Sequence, residues 1–106
     1  NTAKTNQEEI FGPVVTLIPF NDEEDAIQIA NESDYGLSAT IWTEDKERAT
    51  RVSNQVEAGV IWVNCWLVRD LRTPFGGMKQ SGMGREGGSE ALKFFTEQKN
   101  ICTTIA

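Results

Sequence analysis

The stretch Pro74-Phe75-Gly76-Gly77-Met78-Lys79-Gln80-Ser81-Gly82-Met83-Gly84-Arg85-Glu86-Gly87-Gly88 constrains this chain more than any other. Six of its nine glycines fall within residues 76–88. Glycine loses the most conformational freedom on ordering, so a folded domain concentrates it where φ is positive or where another backbone approaches closely. The stretch is therefore expected to be a built loop with main chain packed hard against it. Gly82, Gly84 and Gly87 also spell G-x-G-x-x-G. That pattern marks a dinucleotide-binding turn only where it follows a strand and opens a helix, inside a βαβ unit of about 30 residues with an acid about 20 residues on. Only nineteen residues follow Gly87, and no strand is expected directly before Gly82, so that reading is rejected.

The 106 residues suit one domain or a piece of one, and 39% hydrophobic with 25% charged residues is a globular composition. The net charge of −6 disfavours nucleic acid, whose expected footprint is a basic patch. No apolar stretch approaches the roughly 20 residues of a membrane-spanning helix. Two cysteines, Cys65 and Cys102, are too few for a disulfide framework, which suggests a reducing compartment, the cytoplasm. The chain carries no histidine. A Ser-His-Asp or Cys-His site within these residues is thereby excluded, and with it the commonest metal ligand, so no metal site is expected. The polar opening Asn1 to Asn6 resembles a cut end more than a natural start.

Along the chain, Val14-Val15-Thr16-Leu17-Ile18-Pro19-Phe20 predicts a buried strand. Asn21 or Asp22 then caps a helix over about 22–32, with Asp22, Glu23, Glu24 and Asp25 as a solvated, dipole-compatible first turn. Ser38 to Thr43 predicts a second strand. Thr43 is expected to cap a helix over about 44–57, with Ala49, Val52 and Val56 on one face and Gly59 ending it. Val60 to Asn64 predicts a third strand, apolar nearly throughout and so covered on both faces. A third helix is expected over about 89–96, and the tail Asn100 to Ile105 has strand composition but needs a sheet to join. The order βαβαβ implies an α/β fold with a mainly parallel sheet. Trp42, Trp62 and Trp66 are expected in the core, Trp66 reaching toward a pocket. Arg85 and Glu86 are expected to pair or to fix the loop.

Four segments in sequence carry a resemblance. They are Glu8-Glu9-Ile10-Phe11-Gly12-Pro13-Val14, Asp34-Tyr35-Gly36-Leu37-Ser38-Ala39, Gly59-Val60-Ile61-Trp62-Val63-Asn64, and Pro74-Phe75-Gly76-Gly77 with Lys79, Ser81, Gly82, Gly84 and Arg85-Glu86. Their order and spacing resemble the C-terminal part of the catalytic domain of NAD(P)-dependent aldehyde dehydrogenases. The stretch Asn64-Cys65-Trp66-Leu67-Val68-Arg69-Asp70-Leu71-Arg72-Thr73 is most similar to members that oxidise hydroxy- or aminomuconic semialdehydes. The resemblance implies a division into 1–82 (catalytic domain), 83–97 (glycine loop and helix leading toward the coenzyme domain) and 98–106 (a strand bridging subunits of a homo-oligomer).

It also implies roles for particular residues. Glu9 and Phe11 match coenzyme positions, for NAD with NADP left open. A carboxylate accepts two hydrogen bonds from a ribose diol, and an aromatic edge orients a nicotinamide ring. Arg69 is expected to hold a substrate's far carboxylate, since its planar fork binds a carboxylate in two places, and Arg72 is the second candidate. The alternative for these arginines is a loop salt bridge to Asp70. Phe75 is expected to line the substrate tunnel, and Cys65 to form pocket wall. Cys65 is not the family's nucleophile, and a catalytic cysteine needs an activating base. The nucleophile and general base of such an enzyme fall upstream, so no catalytic residue is assigned here. The chain alone is expected to be inactive as a fragment of such an enzyme; the alternative reading is a catalytically inactive structural or oligomerisation module.

Overall fold

The computed structural model describes residues 1–105; Ala106 lies outside the described residues. A single short turn of helix, α1 (Lys4–Gln7), precedes the main elements. Helix α2 (Glu23–Asn31) starts where Asp22 accepts a hydrogen bond from the Asp25 amide, with three acids in its first turn. Helix α3 (Lys46–Gln55) is shorter than the sequence suggests. Its cap is Asp45, whose carboxylate accepts from the Glu47 and Arg48 amides. Thr43 instead accepts from the Asp45 amide, one step further out. The early stop at Gln55 is tertiary in origin. The Asn31 side chain donates to the Gln55 carbonyl and accepts from the Glu57 amide, so the end of one helix terminates the other. Gly59 plays no part in that stop.

Strands β1 (Tyr35–Gly36), β2 (Ser38–Ile41), β3 (Val60–Val63) and β4 (Met78–Lys79) form two small two-stranded sheets. β2 and β3 are parallel, with Ser38 opposite Val60 and Ile41 opposite Val63. β1 and β4 are antiparallel, with Tyr35 opposite Lys79. The β2-α3-β3 unit is the expected parallel crossover. β1 and β4 were not expected. The predicted first strand is absent: residues 14–20 are irregular, and Val15 and Leu17 are exposed. A β-branched run becomes a strand only beside another strand, and Pro13 and Pro19 offer no amide to one. Residues 96–105 likewise pair with no strand among the described residues, so the strand expected over 98–106 is not formed in its described part, 98–105. Helix α4 (Gly88–Phe95) precedes that tail. No helix among the described residues is long and apolar enough to cross a membrane.

Glycine builds the centre. A Cβ on Gly59 would fall 1.6 Å from the Gly76 carbonyl oxygen, and one on Gly36 2.2 Å from the Glu57 carbonyl oxygen. Three backbone segments therefore touch without side chains between them. Ala58 and Trp62 are the buried hydrophobic residues beside this contact. Trp42 and Trp66 are exposed, against expectation, and β3 leaves Val63 partly open. Gly82, Gly84, Gly87 and Gly88 all have positive φ and shape the turns between β4 and α4. Since β4 is antiparallel to its partner and the helix opens only at Gly88, the G-x-G-x-x-G spacing forms no βαβ dinucleotide turn.

The chain is extended. Its radius of gyration is 18.7 Å, against about 13 Å for a compact domain of this length. It exposes 8878 Å², about 3,000 Å² more than a compact chain of its mass. Where backbones meet, added volume has nowhere to go. Gly59→Ala is expected to destabilise by about 1–3 kcal/mol or more. Gly12→Ala, with nothing within 4 Å of the new methyl, is the matched control. Thermal unfolding of the two variants side by side checks this; equal melting temperatures would refute the close-contact account.

Candidate functional site

The site begins where β3 ends. Asn64 turns the chain with φ of 53°, and its side chain continues the ladder that its backbone leaves. Its Oδ1 accepts from the Thr43 amide at 2.9 Å, and its Nδ2 donates to the Thr43 carbonyl at 2.8 Å. Leu67 takes a second left-handed conformation, with φ of 56°. The Trp62 indole then donates from Nε1 to the Val68 carbonyl at 2.8 Å, tying the loop back to the buried strand. Trp62 thus does two jobs, core packing and loop anchoring, and the residue after its bonded partner is Arg69.

The Arg69 guanidinium carbon lies over the Phe75 ring, 4.3 Å from its centroid. Its Nη2 donates to Glu86 Oε1. Phe75 and Glu86 face each other across one antiparallel bridge, exchanging both backbone hydrogen bonds at 2.8 Å. Residues 69, 75 and 86 therefore form a single cluster. Glu86 in this place is the residue that sequence reasoning missed. Adjacent residues in extended chain point to opposite sides, so Arg85 and Glu86 cannot share a partner at this bridge. Arg85 turns the other way and donates from Nη1 to the Gly77 and Gly84 carbonyls, which fixes the glycine loop. The signal that was available is the spacing around the loop: Phe75 and Glu86 flank it on either side.

Arg72 is separate from that cluster. Its backbone N–H and Nε both donate to Asp70 Oδ1 at 2.9 Å, the salt bridge that the sequence offered as the alternative. The Arg72 side chain, and next its amide, hold the Asp70 carboxyl below its ordinary range, and the same carboxylate raises the Arg72 guanidinium. The backbone of 71–73 packs on the head of α4, where a Cβ on Gly88 would meet the Arg72 carbonyl at 2.3 Å. Cys65 is half-buried with a free thiol.

Glu9 and Phe11 lie on the irregular segment before α2. Glu9 lines a cleft with Tyr35, Leu37, Glu57 and Ser81. A second cleft is lined by Phe75, the glycine loop, Phe94 and Phe95, and it too includes Leu37 and Ser81. The coenzyme candidate Glu9 and the substrate candidate Phe75 thus border adjoining clefts with a shared wall. Ser81 is fixed in that wall because its Oγ accepts from the Gly36 amide at 2.9 Å. Phe11 is 93% exposed and lines neither cleft. The Glu9 carboxylate forms no ion pair among the described residues.

The aldehyde dehydrogenase family profile matches residues 1–101. The chain belongs to the aldehyde dehydrogenase family. It is 60% identical over 98 residues to the 2-hydroxymuconic semialdehyde dehydrogenase of Pseudomonas sp. (strain CF600), covering 92% of this chain and 20% of that protein. It is 58% identical over 95 residues to the 2-aminomuconic semialdehyde dehydrogenase of Danio rerio, covering 90% and 20%. Among solved structures, the P. syringae indole-3-acetaldehyde dehydrogenase in complex with NAD+ superimposes with a TM-score of 0.89 at 44% identity, over 93% of this chain and 20% of the other. HpcC from Thermus thermophilus gives 0.87 at 46% identity, over 96% and 21%. The chain spans about a fifth of the length of the curated relatives that it matches.

In this aldehyde dehydrogenase segment the position of Arg69 depends on the Trp62 anchor. Trp62→Phe removes the indole donor and leaves the Val68 carbonyl without it. The expected loss is about 0.5–1.5 kcal/mol beyond that of a ring change alone. Denaturant unfolding of Trp62→Phe against a chain with benzothienylalanine at position 62, which keeps the ring size and removes only the N–H donor, separates the two terms; an unchanged stability of the benzothienylalanine chain relative to the parent would refute the anchor.

Proposed function

We propose that this segment belongs to an enzyme that oxidises a carboxylate-bearing semialdehyde, of the muconic semialdehyde type, to an acid with NAD. The observation that carries the reading is the Arg69–Phe75–Glu86 cluster, in which Phe75 and Glu86 line a cleft that adjoins the one lined by Glu9. The names of the Pseudomonas and Danio relatives support the substrate class, and solved neighbours with NAD+ support the coenzyme. The catalytic nucleophile and the general base belong to sequence outside these 106 residues, so this chain by itself is inactive.

A bound NAD would supply the hydride acceptor for oxidation of the aldehyde carbon once the upstream nucleophile has added to it. The residues here bind and orient. Glu9, unengaged by any protein cation among the described residues, has the acceptor set that a ribose diol needs, two carboxylate oxygens. The exposed Phe11 ring is free to close on the nicotinamide side. Arg69 holds the substrate's far carboxylate, which sets the distance from that end to the reacting aldehyde. Phe75 walls the tunnel and Cys65 backs it. Arg72, already spent on Asp70, is the weaker candidate for anion binding. The free thiols Cys65 and Cys102 support a reducing, cytoplasmic setting.

The test uses the full-length parent. Arg69→Ala should lower kcat/KM for a carboxylate-bearing semialdehyde by about 30- to 1,000-fold, the loss of a charge-assisted contact of about 2–4 kcal/mol. A neutral aldehyde of similar length should be little affected, and Arg72→Ala should show no such selectivity. Equal effects of Arg69→Ala on both substrates would remove the carboxylate assignment.

The tail is the second proposal. Residues 98–105 are irregular and exposed, with backbone unpaired among the described residues that suits addition to the sheet of another subunit in a homo-oligomer. Deleting 98–106 from the parent should shift it to a smaller species in sedimentation velocity. An unchanged oligomeric mass would reject a bridging role.

A further inference from the structure

Arg69 is already half engaged. A guanidinium carries five N–H donors in a planar fork. One edge meets Glu86, and no other hydrogen bond leaves the Arg69 side chain among the described residues. That side chain remains 45% exposed. Both groups that hold it are themselves fixed: Phe75 and Glu86 are locked to one another by two backbone hydrogen bonds that do not involve Arg69. The seat therefore exists independently of the arginine placed in it. The ring sets where the guanidinium lies, and the Glu86 carboxylate sets which N–H groups stay open.

We propose that Glu86 is a positioning residue for Arg69 and that its charge sets how tightly Arg69 holds the substrate's far carboxylate. The proposal rests on Arg69 being the carboxylate anchor. A substrate carboxylate on the open edge meets the guanidinium at contact distance and Glu86 one guanidinium's width further on. Coulomb energy falls as the inverse of distance, so the repulsion offsets part of the attraction and never all of it. Phe75 keeps the arginine in place even without Glu86, so the charge effect outweighs the loss of orientation when Glu86 is neutralised. The site then distinguishes a carboxylate from a neutral group without the grip of an unpaired arginine. That suits an enzyme whose product keeps the same carboxylate, gains a second, and must leave.

The test is calorimetric titration of the full-length parent with adipate, a six-carbon dicarboxylate probe. Glu86→Gln keeps the size and the backbone bridge and removes the charge. It should tighten adipate by about 5- to 20-fold, and the affinity should fall more steeply with added salt, because a free positive charge is now screened. Arg69→Ala should weaken adipate, and Glu86→Gln in that background should change it by less than about twofold, since without the arginine the probe's carboxylate is no longer held close to Glu86. Glu86→Asp, which keeps the charge, should stay near the parent.

Unchanged or weaker adipate binding in Glu86→Gln, with Arg69→Ala still weakening it, would overturn the proposal and leave the anchor standing. Tightening by Glu86→Asp equal to that by Glu86→Gln would also overturn it, because charge would not be the cause. No effect of Arg69→Ala on adipate would bring down the anchor itself, and this proposal with it. Circular-dichroism melts of each variant identify one that has failed to fold, and the salt dependence of the remaining folded variants still decides the question.

Discussion

Everything around the candidate site depends on one backbone contact, the approach of Gly59 to the Gly76 carbonyl, where a methyl group would fall 1.6 Å from the oxygen. Gly59 immediately precedes β3, and Gly76 immediately follows Phe75. The contact therefore sets the start of the strand that leads to Arg69 beside the residue that Arg69 lies over. Gly36 repeats the device against the Glu57 carbonyl, just upstream in the same crossing. Lys79 locks the arrangement from outside: its ammonium donates to the carbonyls of Asn31 and Ser33 at the end of α2 and pairs with Glu57. A cation at a helix C-terminus complements the dipole there. The site is positioned by main chain, and side chains finish it.

The two arginines of the loop show how local geometry separates similar residues. Arg69 and Arg72 are three positions apart in one loop and chemically identical. Arg72 lies two residues after Asp70 in a tight turn, and its guanidinium and amide close on that carboxylate. Arg69 lies before the turn and reaches across the fold, to Phe75 and Glu86. The first pairing is local and the second is tertiary. Only the second brings the arginine against residues that line a cleft, Phe75 and Glu86.

The extended shape and the unpaired apolar segments have a common origin. Val15, Leu17 and Ile105 are exposed, while the buried hydrophobic residues are Ala58 and Trp62. A segment with strand composition forms a strand only when another strand supplies its hydrogen bonds. The relatives are about five times as long as this chain, and the segments 14–20 and 98–105 pair with no strand among the described residues. The parts that fold internally are those whose contacts are local or lie within the glycine-built crossing: α2, α3, the β2–β3 pair and the loop.

The sequence by itself determined the helices α2 and α4, the parallel β2-α3-β3 unit, the built character of the glycine loop and the family to which the chain belongs. These follow from caps, apolar period, positive-φ glycines and ordered motifs, all carried by neighbouring residues. The tertiary structure decided the rest. It ended α3 at Gln55 through Asn31, gave Gly59 a contact in place of a helix stop, and paired β1 with β4. It left Trp42 and Trp66 exposed while Trp62 was buried and tied to Val68, and it gave Arg69 to Glu86 instead of leaving Glu86 to Arg85. Each of these depends on groups far apart in the chain. Their pairing follows from which backbones can approach, and residue order does not record that.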